Sequence, residues 1–205
     1  MSKYSKKEML DLIYQDPICH MRDDYYECLY DYASQVPEHG TIVEIGTMYG
    51  ASALALLCGS HDSVKVYCID PLFRTGHINY PDAHNPEGWT LNYSLFDIGR
   101  KFSNAGLSER VIIAPHHSWL VLETWNTWID LLFVDGEHTY NAVKKDCEWL
   151  QWVKPGGMAA FDDWFDEIEN AVKDSILYKP EWKIIYESTT EKINGMCVTL
   201  LRKSL

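Results

Sequence analysis

Five short apolar runs, TIVEIG, VKVYCID, RVIIAP, IDLLFVDG and MAAFDD, lie between residues 41 and 163, and each gives way to polar or glycine residues. Helix-like spacing fills the intervals near residues 51–58, 93–105, 119–125 and 139–153. Strands that alternate with helices predict a parallel sheet covered on both faces. The C-terminal part breaks this rhythm. EWKIIYES and GMCVTLLRK are joined by TTEKIN, too short for a crossover helix, which predicts an antiparallel hairpin at the sheet edge. Two helices are expected ahead of the first strand, at 6–14 and 21–36; in the second, Tyr25, Cys28, Leu29, Tyr32, Ala33 and Val36 can share one face. The reading is an N-terminal helical cap over residues 1–40 and one α/β domain over 41–205. Residues 72–92, rich in Pro, Gly, Asn and His, are too many for a simple connection and are expected to act as a lid, with His77, Tyr80, His84 and Trp89 as candidates to stack on a ligand.

A chain of 205 residues suffices for one substantial core. Its net charge of -12 repels phosphate backbones and disfavours nucleic acid as a partner, leaving small molecules favoured. The six cysteines form no C-x-x-C pair, which argues against a zinc knuckle or a redox dithiol and for reduced core residues in a cytoplasmic setting. The opening stretch MSKYSKKEMLDLIY is charged and amphipathic, so neither a signal sequence nor a membrane association is expected. The N-terminal helices are candidates for assembly into a homo-oligomer.

In VEIGTMYGAS a strand runs into a glycine turn and then a helix, the position at which open α/β sheets bind nucleotides. A dinucleotide fingerprint needs glycine where Met48 stands, because the backbone there must approach a pyrophosphate. A ligand without a pyrophosphate, such as S-adenosylmethionine, escapes this objection, and its carboxylate can meet backbone N–H groups near the helix start. Glu44, Gly46, Thr47, Gly50 and Ser52 are the candidate contacts from this turn, with Glu44 facing the ligand's positive charge. Asp70 ends the second run about 20 residues further on, where an acid accepts hydrogen bonds from ribose hydroxyls.

Asp135 ends the fourth run, and Asp162 with Asp163 ends the fifth. Paired strands lie ~4.8 Å apart, so these carboxylates converge if the two strands are neighbours. Converging anions raise one another's pKa unless a cation intervenes, and hard oxygens suit Mg²⁺ or a similar divalent ion.

The architecture of five βα units and a hairpin resembles the class I methyltransferase fold, a Rossmann-like, seven-stranded, mostly parallel sheet with helices on both faces. EIGTMYGAS, CIDP, LLFVDGEHTY and FDDW together resemble the motif series of metal-dependent O-methyltransferases of the catechol and caffeoyl-CoA type. They are more similar still to the branch of macrocin O-methyltransferase and the cephalosporin-hydroxylase-like proteins, in which D-G-x-H ends a strand. The resemblance implies S-adenosylmethionine as cofactor, with Ser118 near the adenine and Asp135 bordering the cofactor. It implies Asp135, Asp162 and Asp163 as ligands of Mg²⁺, Asp163 standing where the catechol branch often has asparagine. His138 replaces the lysine base of catechol-type enzymes and becomes the expected catalytic base. A sugar or phenol hydroxyl is the expected acceptor. The alternatives are a cephalosporin-hydroxylase-like enzyme of the same fold and a non-catalytic binding or scaffold protein.

Overall fold

The computed structural model describes residues 4–15, 21–71, 94–164, 166–186 and 199–204. Helices α1 (Lys6–Ile13) and α2 (Asp23–Ala33) precede β1 (Thr41–Ile45). There follow α3 (Ala51–Gly59), β2 (Lys65–Ile69), α4 (Leu95–Asn104), β3 (Val111–Ala114), α5 (Ser118–Leu122), β4 (Ile129–Val134), α6 (Tyr140–Asp146), β5 (Val153–Phe161), α7 (Asp166–Ile176), β6 (Trp182–Tyr186) and β7 (Thr199–Lys203). The sheet has seven strands in the order β3-β2-β1-β4-β5-β7-β6. Its first five strands run parallel, and β7 pairs antiparallel with both β5 and β6. The expected architecture is therefore present, hairpin included. The expected lid at 72–92, its four candidate stacking residues and the TTEKIN connection lie outside the described residues.

Central strands β1 and β4 are buried along their whole length, as strands covered on both faces must be. Alternation divides their side chains between two cores. Ile42, Leu131 and Phe133 join Leu29, Leu54 and Leu56 on one face, whereas Val43, Leu132 and Val134 join Trp149, Ile168 and Val172 on the other. Helices α1 and α2 pack over α3 in the first of these cores.

Local chemistry sets the boundaries. Ser5 and Glu8 close a capping box on α1, and Ser94 and Asp97 close another on α4, which satisfies amide groups that a helix start leaves unpaired. The helix expected over 139–153 ends at Asp146, continues as a 3₁₀ turn over Cys147–Trp152 and gives way to β5. No described helix is long and apolar enough to cross a membrane.

Candidate active site

The glycine turn after β1 is fixed by the end of β4. Gly46 has φ +91°, and a Cβ there would lie 1.8 Å from the carbonyl oxygen of Asp135; Asp135 in turn donates its backbone N–H to the Ile45 carbonyl at 2.8 Å. Gly50, also left-handed at φ +75°, would meet the Phe102 ring at 2.9 Å. Both glycines are therefore required by the protein's own packing. Met48 itself adopts φ +44°, and its N–H donates to Asp70 Oδ2 at 2.8 Å. The expected ribose acid thus also ties the glycine turn to the end of β2.

Glu44 has no solvent exposure. One carboxylate oxygen accepts from Thr47 Oγ1 at 2.7 Å and the other from Ser52 Oγ at 2.6 Å. Burial pushes its pKa up to about 7, against the pull of the two hydroxyls. Glu44, Thr47 and Ser52 therefore brace the turn from inside, and the sequence pattern alone could not distinguish this role from direct contact with a ligand.

The acids at the ends of β4 and β5 do come together, because these strands are neighbours in register, Val134 opposite Phe161, and Asp162 donates its N–H to the Val134 carbonyl at 3.0 Å. His138 lies between two of them, with Nε2 3.3 Å from Asp135 Oδ1 and Nδ1 2.9 Å from Asp163 Oδ2. Hydrogen bonds to Asp135 and then Asp163 push the imidazole pKa up to about 10, so the ring is a cation at neutral pH. Burial and the charges of Asp135 and Asp163 hold Asp162 far above the usual carboxylate range, and burial raises Asp135 despite the neighbouring imidazole. Among the described residues Asp162 Oδ1 has no hydrogen-bond partner, although it is buried. Asp163 holds a left-handed backbone, φ +51°, a conformation that costs a non-glycine residue energy and recurs at functional sites.

Whether these residues suit a divalent ion is a question of donors and of arrangement. Three hard carboxylates, one with an orphaned buried oxygen, have the right donor chemistry. Their arrangement is closed on His138, and among the described residues no group of three acid, histidine or cysteine side chains is disposed to hold a metal ion. Glu137 points elsewhere and accepts from Thr139 Oγ1 at 3.1 Å.

Two participants escaped the sequence reading. Buried Tyr25, from α2, reaches Asp135 Oδ2 with its hydroxyl at 3.5 Å; its place on the apolar face of a helix disguised it as a core residue. Asp146, 5% exposed, accepts a short hydrogen bond from Ser118 Oγ. An acid in the last turn of a helix carries no motif signal at all.

A family model described as a methyltransferase domain matches residues 43–164, the stretch from β1 through the acids after β5. The chain belongs to this family. Among curated proteins it is 29% identical over 127 residues to an uncharacterized protein of Acanthamoeba polyphaga mimivirus, a match covering 62% of this chain and 52% of that one. The chain thus spans about half the length of that relative. The O-methyltransferase from Bacillus cereus in complex with S-adenosylhomocysteine superposes with a TM-score of 0.65 at 16% identity, covering 98% of this chain and 90% of that one. The O-methyltransferase TomG from Streptomyces achromogenes, in complex with S-adenosylmethionine, gives 0.65 at 13% identity, covering 100% and 92%. At such identities these two structures establish the class I methyltransferase fold for this member of the family and nothing finer.

Proposed function

We propose that the protein transfers the methyl group of S-adenosylmethionine to a hydroxyl of a small molecule, a sugar or a phenol, with His138 as base; Asp135, Asp162 and Asp163 have the donors for a divalent ion but would hold one only in an arrangement other than the one closed on His138. The observation that carries this reading is the position of His138 at the mouth formed by β1, β4 and β5, beside the glycine turn and in contact with two carboxylates. Methyl transfer is an in-line displacement that needs the acceptor oxygen about 3–3.5 Å from the methyl carbon and stripped of its proton. In the neutral imidazole, the shorter contact keeps the hydrogen on Nδ1, bonded to Asp163, and the Nε2 lone pair can accept a proton once Nε2 gives up its 3.3 Å contact with Asp135 Oδ1. Asp163 then orients the base and stabilises the imidazolium that forms, the logic of an acid–histidine pair. An asparagine at this position could not supply the same anion. When bound, a divalent ion would lower the pKa of the acceptor hydroxyl and relieve the repulsion among the acids.

Isothermal titration with S-adenosylmethionine and S-adenosylhomocysteine, followed by transfer assays with labelled cofactor and panels of sugars and phenols, tests the reading. Binding together with label in an acceptor supports it. Absence of binding of either cofactor form would overturn it, and full turnover in excess chelator would remove the divalent ion from it.

A further inference from the structure

Another buried carboxylate stands outside the acid cluster, and no step above uses it. Asp146, in the last turn of α6, accepts the Ser118 hydroxyl on Oδ1, while Oδ2 stands 3.4 Å from where a Cβ on Gly136 would be. The pair bridges the segment after β3 and the helix after β4, immediately behind the turn that carries Asp135. A carboxylate can only accept, so the single hydroxyl hydrogen of Ser118 is committed to Asp146 and only oxygen lone pairs remain for another partner. Burial pushes the Asp146 pKa up to about 6, which leaves it ionised in mildly alkaline solution.

The order of the strand ends says what meets those lone pairs. The glycine turn follows β1, Asp70 follows β2 and Ser118 follows β3, and these three strands are consecutive in the sheet, each ~4.8 Å from the next. A nucleoside ligand with its amino-acid end at the turn and its ribose at Asp70 carries its base towards Ser118. Adenine presents an exocyclic amino donor there, whereas hypoxanthine presents a carbonyl acceptor. We infer that Asp146 is a positioning residue that fixes Ser118 as a hydrogen-bond acceptor and so makes the cofactor site selective for adenine over hypoxanthine. This rests on the cofactor reading proposed above. An asparagine at 146 can donate to Ser118 and free its hydrogen for the cleft, relaxing the selection.

The test is calorimetric titration at pH 8 of S-adenosylhomocysteine and S-inosylhomocysteine into the full chain and the Asp146→Asn and Ser118→Ala variants, each checked for folding by thermal melting. The wild-type protein should prefer the adenine form by about tenfold or more, the effect of one lost hydrogen bond. In Asp146→Asn the preference should fall within about threefold, partly through tighter binding of the inosyl form than the wild type shows, a gain that structural damage would not produce. Ser118→Ala should lose the preference as well. Wild-type binding of both ligands without preference, or a folded Asp146→Asn that keeps the wild-type ratio, would overturn the inference. If Asp146→Asn does not fold, Ser118→Ala decides, with an unchanged ratio overturning the inference and a collapsed one supporting it. Binding of neither ligand to the wild type would remove the cofactor reading itself, and this inference with it.

Discussion

Glu44 combines complete burial with a proton affinity that brings its titration close to neutral pH. Its pKa is raised from 4.5 to about 7, so the folded protein binds the extra proton more tightly than the unfolded chain does. The corresponding stability is fully present below pH 4.5 and is lost as pH rises through about 7. The size is about 3 kcal/mol. Glu44→Gln, which keeps a side-chain oxygen to accept from one of the two hydroxyls, should flatten this part of the profile. Urea denaturation at pH 5 and pH 8 should give a smaller loss of stability in the variant than in the wild type, and equal losses would show that Glu44 titrates normally. The other raised acids, Asp135, Asp146 and Asp162, slope the same way, so the difference between the two proteins is the quantity to read. At His138 the sign works on catalysis. On the proposal that His138 is the base, the ring must be neutral to act, so kcat should rise with pH as it loses its proton, and the carboxylates of Asp135 and Asp163 hold that limb at high pH. His138→Ala should lower kcat by about 10²- to 10⁴-fold and abolish the limb. Asp163→Asn should also lower kcat but move the limb to lower pH, because one of the two anions is gone. A pH–rate profile of each variant checks both statements.

At the scale of elements, the turn between β1 and α3 has its shape imposed by β4. The sequence reading assigned the glycines of IGTMYG to a ligand, and the pattern of residues allowed no more, since the backbone that crowds Gly46 comes from Asp135, far along the chain. Gly46→Ala should therefore destabilise the protein by about 3 kcal/mol or more, through left-handed strain and a clash with a carbonyl that cannot turn aside. A denaturation midpoint within error of the wild type would contradict the packing argument. Elements whose apolar period is dense were legible, β1, β4 and α3 among them. Helix α7 was not located, because among its described side chains DEIENAVKDSI buries only Ile168, Ala171 and Val172, too sparse a signal among its charges. The convergence of Asp135 with Asp162 and Asp163 was legible from the strand ends alone. The D-G-x-H spacing also placed His138 beside Asp135, whereas its second contact, with Asp163, and the approach of Tyr25 were not legible, since both depend on side-chain placement that no spacing rule supplies.

For the molecule as a whole, α3 determines what the N-terminal helices are for. Every residue of α3 from Ser52 to Gly59 is buried, and a helix apolar all round must be covered on every side. The sheet covers one side, and α1 and α2 cover much of the rest. The approach is backbone to backbone at Gly59, where a Cβ would lie 2.3 Å from the Tyr30 carbonyl oxygen. The first helices are thus part of the fold's core, and through Tyr25 part of the site. Deleting residues 1–36 should then leave a chain that binds hydrophobic dyes, lacks a cooperative urea transition and has lost cofactor binding. Leu29→Ala in the full chain, a fully buried position, should cost about 2–5 kcal/mol while keeping the transition cooperative, which separates loss of packing from loss of the segment. A truncated chain that unfolds cooperatively at the wild-type midpoint and binds S-adenosylhomocysteine with wild-type affinity would show instead that the sheet and its crossover helices suffice alone, and that α1 and α2 serve some purpose other than closing the core over α3.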